Sequence, residues 1–195
     1  MNLEEIVKTA YEKAVQEDDS GSTEKEVNKS RSQNFVAYLA AEFRRMFEGT
    51  PGTYVLSKDH SALRSQFGMN ELLYDVLVCE AEEVPSATKT TMLTCVSNGR
   101  IAVESEMAKD SRQALYDFNK LVLSSCDTQL FVGPLVSDIP AYLEPLAVAA
   151  KHCKGAVYLA LIPHPGSWGP SNHDSTRFWK WNGRNWDEGN SEPKF

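Results

Sequence analysis

Apolar positions recur along this chain with two different periods, and the switches between them mark out its elements. Residues 2–16 have helical spacing, with Asn2 and Glu5 at capping-box distance. The run Gln16-Glu17-Asp18-Asp19-Ser20-Gly21-Ser22 ends this helix, and the polar stretch 17–33 reads as a linker. A second helix is expected from Asn34 to Glu48, stopping at Gly49-Thr50-Pro51-Gly52. Its Phe35, Val36, Leu39, Phe43, Met46 and Phe47 fill one face about 120° wide.

Strand signals follow. Thr53–Ser57 is a short candidate and Glu71–Val84 a longer one. Leu72-Leu73-Tyr74-Asp75-Val76-Leu77-Val78-Cys79 is apolar on both parities apart from Asp75, the mark of a central strand covered on both faces. Thr90–Val96 is rich in β-formers, Ser97-Asn98-Gly99-Arg100 signals a tight turn, and Ile101–Met107 is expected to pair back. Asp110 and Gln113 can cap a helix over 111–125, whose face holds Ala114, Leu115, Phe118, Leu121 and Val122. A strand at Gln129–Val132, a helix from Asp138 to Cys153 and a buried strand at Ala156–Ile162 complete the core.

From Pro163 the composition changes. Pro163, Pro165, Gly166, Gly169 and Pro170 mark an irregular loop. In Arg177-Phe178-Trp179-Lys180-Trp181-Asn182-Gly183-Arg184-Asn185-Trp186, the Asn-Gly pair between aromatic arms predicts a type I′ hairpin. The order predicts an α/β fold, with a mixed central sheet flanked by helices and a C-terminal aromatic hairpin. Three segments are expected: an N-terminal helix and linker (1–33), an α/β core (34–162), and a loop and hairpin packed on it (163–195).

Composition narrows the function. With 42% hydrophobic residues among 195, the chain can bury a real core. No stretch approaches the ~20 apolar residues that span a bilayer. The start Met1-Asn2-Leu3-Glu4-Glu5 has no signal-like apolar region, and Cys79, Cys95, Cys126 and Cys153 form no CxxC or zinc pattern. A cytoplasmic protein without a membrane partner is expected. The net charge of -7 argues against a non-specific nucleic-acid coat, though not against a nuclease.

The chemistry centres on Asp75 and on Glu104-Ser105-Glu106. Residues two apart on a strand share a face, so Glu104 and Glu106 are expected side by side. Like charges there repel, and burial worsens the repulsion. A divalent cation with hard oxygen ligands would turn that cost into a gain. Asp75, flanked on its parity by Leu73 and Leu77, also needs a partner. On the second helix Glu42 lies about 20° outside Phe35, at the border of the apolar face. Lys120 lies about 150° from the centre of its helix's apolar face and reads as solvated, as does Asp117. His60, His152, His164 and His173 are scattered, and no nucleophile triad or Gly-rich phosphate loop is evident. Trp179 and Trp181 share a strand face and are expected to cover the sheet.

Residues 34–132 resemble the core of the PD-(D/E)XK, or restriction-endonuclease-like, nuclease superfamily. In that pattern a helix gives an acidic residue, here Glu42. A hairpin then gives an Asp, here Asp75, and the next strand a Glu-x-Lys, here Glu104-Ser105-Glu106. Glu106 stands where the lysine usually is. The stretches Val103-Glu104-Ser105-Glu106-Met107 and Leu115-Tyr116-Asp117-Phe118-Asn119-Lys120-Leu121 also resemble members with an ESE…DFxKL pattern. The resemblance implies a restriction-endonuclease-like core and Mg²⁺- or Mn²⁺-dependent hydrolysis of phosphodiester bonds in DNA. Asp75, Glu104 and Glu106 would be catalytic, and Glu42, Asp75, Glu104 and Glu106 would be metal ligands. The alternative is a non-catalytic binding or regulatory protein on the same fold. The aromatic hairpin is a candidate surface for pairing two subunits into a homodimer.

Overall fold

The computed structural model describes residues 2–17, 20–58, 60–68, 71–87, 92–169 and 175–189. The first helix, α1 (Leu3–Gln16), begins where expected, because the Asn2 side chain accepts from the Glu5 amide. The second, α2, runs Glu24–Met46, ten residues longer at its start than expected. Thr23 and Glu26 form a reciprocal capping box that nucleates it, so most of the polar stretch read as a linker is helix.

The strands are β1 (Thr53–Ser57), β2 (Val76–Pro85), β3 (Met92–Ser105), β4 (Thr128–Pro134), β5 (Ala156–Ile162), β6 (Arg177–Trp181) and β7 (Trp186–Glu188). They form one seven-stranded sheet in the order β1-β2-β3-β4-β5-β6-β7. Strands β3, β4 and β5 are parallel, and the remaining neighbours are antiparallel. A single-turn helix, α3 (Arg64–Phe67), lies between β1 and β2. The crossovers between the parallel strands are α4 (Ser111–Val122) and α5 (Ile139–Ala150), capped by Asp110 and Asp138. The fold is therefore mixed α/β, with a mixed sheet between helices.

Side-chain alternation divides the core in two. On one face α1 and α2 bury Ile6, Tyr11, Phe35, Leu39 and Phe43 against Val76, Val78, Ile101, Val103, Leu130 and Tyr158. On the other, α4 and α5 bury Phe118, Leu121, Tyr142 and Leu146 against Leu77, Ala102, Phe131 and Leu159. Trp179 belongs to this second cluster, with Trp181 and Trp186 packed on it, as expected of tryptophans covering the sheet. Among the described residues no helix is long and apolar enough to cross a membrane.

Three local expectations are corrected. Residues 97–100 form no turn: β3 continues through them, Gly99 and Asn98 pair with Cys79 and Glu80, and register shifts between Val78/Cys79 and Glu80/Ala81 absorb Arg100 and Ser97. A Cβ at Gly99 would stand 2.5 Å from the Cys126 sulfur, so the glycine serves close packing there. Strand β2 starts at Val76 and not at Glu71, which puts Asp75 at its mouth and not in mid-strand. The last hairpin turns over Asn182–Asn185 and not over Asn-Gly alone, with Asn182 Oδ1 accepting from the Arg184 and Asn185 amides. His173, Asp174 and Pro170 lie outside the described residues.

Candidate functional site

The register of three strands builds the site. Ser57 pairs with Val76, and Val76 with Val103. Lys58, Asp75 and Glu104 each lie one residue beyond these pairs, at the same end of the sheet. Asp75 and Glu104 thus come together as cross-strand neighbours, although both are acidic. Asp75 Oδ2 accepts from the Ser105 amide at 2.8 Å, which fixes its orientation. Its pKa is raised, chiefly by burial; the Ser105 amide and Lys120 pull the other way.

Just upstream, the backbone is strained. Leu73 has φ 65°, and the Tyr74 amide bonds the Leu72 carbonyl at 2.8 Å across it. A β-strand-rich apolar run would not choose this, and the Leu73 side chain is thrown out to solvent. Strain of this kind clusters where a structure over-determines a functional residue, and here it sits two residues before Asp75.

Glu104 is 1% exposed. Its Oε2 accepts from the Lys120 ammonium at 3.0 Å, whereas its Oε1 is buried with no hydrogen-bond partner among the described residues. Burial and then the Asp75 charge push its pKa up to about 8, against the opposing pull of Lys120. Lys120 in turn contacts Asp117 Oδ1 at 2.8 Å. Burial lowers the Lys120 pKa, but the bonds to Asp117 and Glu104 outweigh it and the net shift is upward.

Glu106 lies one residue past the end of β3. Its Oε1 accepts from the Ala108 amide at 2.7 Å, and it hydrogen-bonds Asp117. Its pKa is raised, by burial first and also by Asp117, against the opposing pull of the Ala108 amide. Glu106 is therefore turned along α4, beside Glu104 but with a carboxylate partner of its own.

Glu42 is not part of this group. It lies on α2, over the opposite face of the sheet, and is 1% exposed. Lys13 Nζ reaches its Oε1 at 2.5 Å, and Arg45 Nη2 its Oε2 at 2.8 Å. Burial raises its pKa, but these hydrogen bonds outweigh burial and the net shift is downward. The expected helix carboxylate is thus committed to pinning α1 on α2.

The residue that sequence reasoning discarded is Lys120. Its backbone is on the outer side of α4, as the helical wheel placed it, but its four-carbon stem carries the ammonium back over the helix edge to Glu104. Asp117, three residues earlier, also reads as solvated in the sequence and contacts the Lys120 ammonium. The spacing of Asp117 and Lys120 after Glu104 was the available signal. His164 makes no such contribution: its Nδ1 accepts from the Gly166 amide in a local turn.

A divalent cation can be weighed against this geometry. Among the described residues no group of three or more His, Cys, Asp or Glu side chains is arranged to hold a metal ion. Mg²⁺, however, commonly uses one or two carboxylates and completes its shell with water and phosphate. The unpartnered Glu104 Oε1 beside Asp75 fits such a two-carboxylate set. Glu42 does not fit it, and Glu106 is already engaged with Asp117. Compared with known protein families, curated proteins and solved structures, the chain matches none of them.

Proposed function

We propose that the Asp75–Glu104–Lys120 end of the sheet is a nuclease-type phosphodiesterase site acting on DNA with Mg²⁺ or Mn²⁺. The observation that carries the reading is Glu104: a carboxyl 1% exposed, placed against Asp75, with one oxygen left without a partner among the described residues. Folding alone gains nothing from that arrangement. Asp75 and Glu104 would hold the cation. When bound, it would supply positive charge for the scissile phosphate and a coordinated water of lowered pKa.

The protein's own groups divide the remaining work. Lys120 places an ammonium next to Glu104, where it offsets negative charge developing on a phosphate. This is the function that a Glu-x-Glu strand cannot perform, and here it comes from α4. The Glu106 carboxyl, hydrogen-bonded to Asp117 beside Lys120, fits acceptance of a proton from the attacking water. The Ser105 amide holds Asp75 in place throughout.

Calorimetric titration of Mn²⁺ into the protein and into an Asp75→Ala, Glu104→Ala variant tests the metal, and cleavage of labelled DNA tests the reaction. Equal heats from the two proteins would refute the site. One observation favours a second reading, that of a non-catalytic binding protein: Lys120 already bridges Glu104 and Asp117 without a metal. Metal binding with no cleavage would select it.

A further inference from the structure

Resting on the phosphodiesterase reading, we propose that the substrate is an unpaired DNA strand, entered one nucleotide at a time, and not a duplex. A cleft of about 410 Å³ between α2 and the end of the sheet reaches Asp75, the cross-strand neighbour of Glu104. Ser32, Gln33 and Val36 form its helix wall, and Asp75 and Ser105 its inner end. That volume is at the small end of the range for one drug-sized ligand, roughly 300–1,000 Å³. It has room for one nucleotide and is too small to enclose a double helix.

Depth gives the same answer. Glu104, at 1% exposed, lies beneath the surface and not on it. A rigid duplex presents its phosphates on the outside of a wide cylinder and cannot bring one to a recessed carboxyl. A single strand has free backbone torsions and can bend a phosphate inward. Charge agrees as well. Duplex binders gain affinity by neutralising several phosphates at once with a basic surface. This chain carries a net charge of -7, and the cleft has one cation, Lys58, against Glu71 and Asp75.

The cleft offers what a single nucleotide needs. The Gln33 amide and the Ser32 hydroxyl can bond a sugar or a base edge, and Val36 supplies an apolar contact. The Ser105 hydroxyl is buried with no hydrogen-bond partner among the described residues, and Ser105 lines the same cleft. Gln33 is therefore assigned as a positioning residue for the strand. It is exposed on α2, so its replacement does not disturb the core.

The test uses one fluorescent oligonucleotide, offered as a single strand and as a duplex, with bis(p-nitrophenyl) phosphate as a small diester, all with Mn²⁺. The expected kcat/KM for the single strand exceeds that for the duplex by at least tenfold. Gln33→Ala is expected to raise KM for the strand several-fold, with kcat and hydrolysis of the small diester unchanged. Fluorescence anisotropy with the uncleaving Glu104→Gln variant gives an independent readout, with the single strand binding tighter than the duplex. Hydrolysis of the small diester with equal or better cleavage of duplex overturns the strand proposal and leaves the phosphodiesterase reading intact. No hydrolysis of any of the three overturns both.

Discussion

Raising the pH from about 5.5 to about 8.5 should destabilise this protein, and Glu104 should be the main reason. In the folded chain its carboxyl holds its proton up to about pH 8, against an ordinary value of 4.5. Between those values the native state binds one proton more than the unfolded state, so stability falls as pH rises. The gap of about 3.5 units, at about 1.4 kcal/mol each, sets an upper bound of about 5 kcal/mol. Asp75 and Glu106 are shifted in the same direction and add to the slope. Glu42 is shifted downward, so its contribution is present above the ordinary value and is lost only in more acid solution. Lys120 is shifted upward, and its contribution persists until far more alkaline pH. At the acid end of the window His60 and His164, whose pKa values burial lowers from 6.5, work in the opposite sense, so the acidic cluster sets the slope above that value. A loss near the bound would consume much of the ~5–15 kcal/mol that holds a typical domain together. Urea unfolding at three pH values measures it. Wild type should lose on the order of 2–4 kcal/mol across the window, and Glu104→Gln should flatten most of that slope. Added Mg²⁺ should restore more stability at pH 8.5 than at 5.5, because the cation competes with the proton. A flat wild-type profile, or an equally steep Glu104→Gln profile, would refute the reasoning.

Other substitutions separate the roles of neighbouring groups. Lys120→Ala leaves both Glu104 oxygens without a side-chain donor, so stability at alkaline pH should drop by about 1–3 kcal/mol in urea unfolding. Metal-dependent cleavage should fall about 10²-fold in the same variant, with Lys120→Arg recovering part of it. Glu42→Gln weakens the tie to Lys13 and Arg45 and should cost about 1–3 kcal/mol by thermal unfolding. Its Mn²⁺ affinity should equal that of wild type by calorimetry; a tenfold loss would return Glu42 to the site. Leu73→Gly relieves a positive φ that leucine adopts at a cost of about 1–2 kcal/mol. The variant should be as stable as wild type or slightly more so, and a marked loss in Tm would show that Leu73 has a packing role its exposure does not reveal.

Periodicity carried most of the fold because it reports burial directly. The alternating face of β3 and the helical faces of α2 and α4 were all written in apolar spacing, and so was the burial of β5 on both faces. What periodicity cannot report is competition. Ser97-Asn98-Gly99-Arg100 has the local chemistry of a turn, but β2 offers a longer ladder and Cys126 needs the space that a glycine leaves. The start of α2 was missed because its first half is polar all round; it is held by the Thr23–Glu26 cap and by Arg31, which donates to the Pro165 carbonyl at 2.5 Å. At the site, the strand carboxylates were legible from parity. Lys120 was not, because a helical wheel places Cα atoms, and a lysine's charge lies at the end of a long stem that can cross the helix border.

Two buried glutamates state the difference between structural and functional charge in this protein. Glu42 and Glu104 are equally inaccessible, each 1% exposed. Glu42 is met by two cations on its two oxygens, and its pKa falls despite burial. Glu104 is met by one cation and one carboxylate, keeps an orphan oxygen, and its pKa rises. A chain selected for stability alone would place an apolar residue at position 104, where Ala102, Phe118 and Phe131 already form an apolar face. Glu104→Met should therefore stabilise the metal-free protein at about pH 8 by a few kcal/mol, since it removes a buried carboxyl that must ionise there. It should abolish Mn²⁺ binding in the same step. Glu42→Met should do the reverse, costing about 1–3 kcal/mol while leaving the metal affinity alone. Paired urea unfolding and calorimetry on the two variants decide the matter. If Glu104→Met destabilises as much as Glu42→Met, then the bridge to Lys120 is a structural tie, and the case for a metal at this end of the sheet loses its main support.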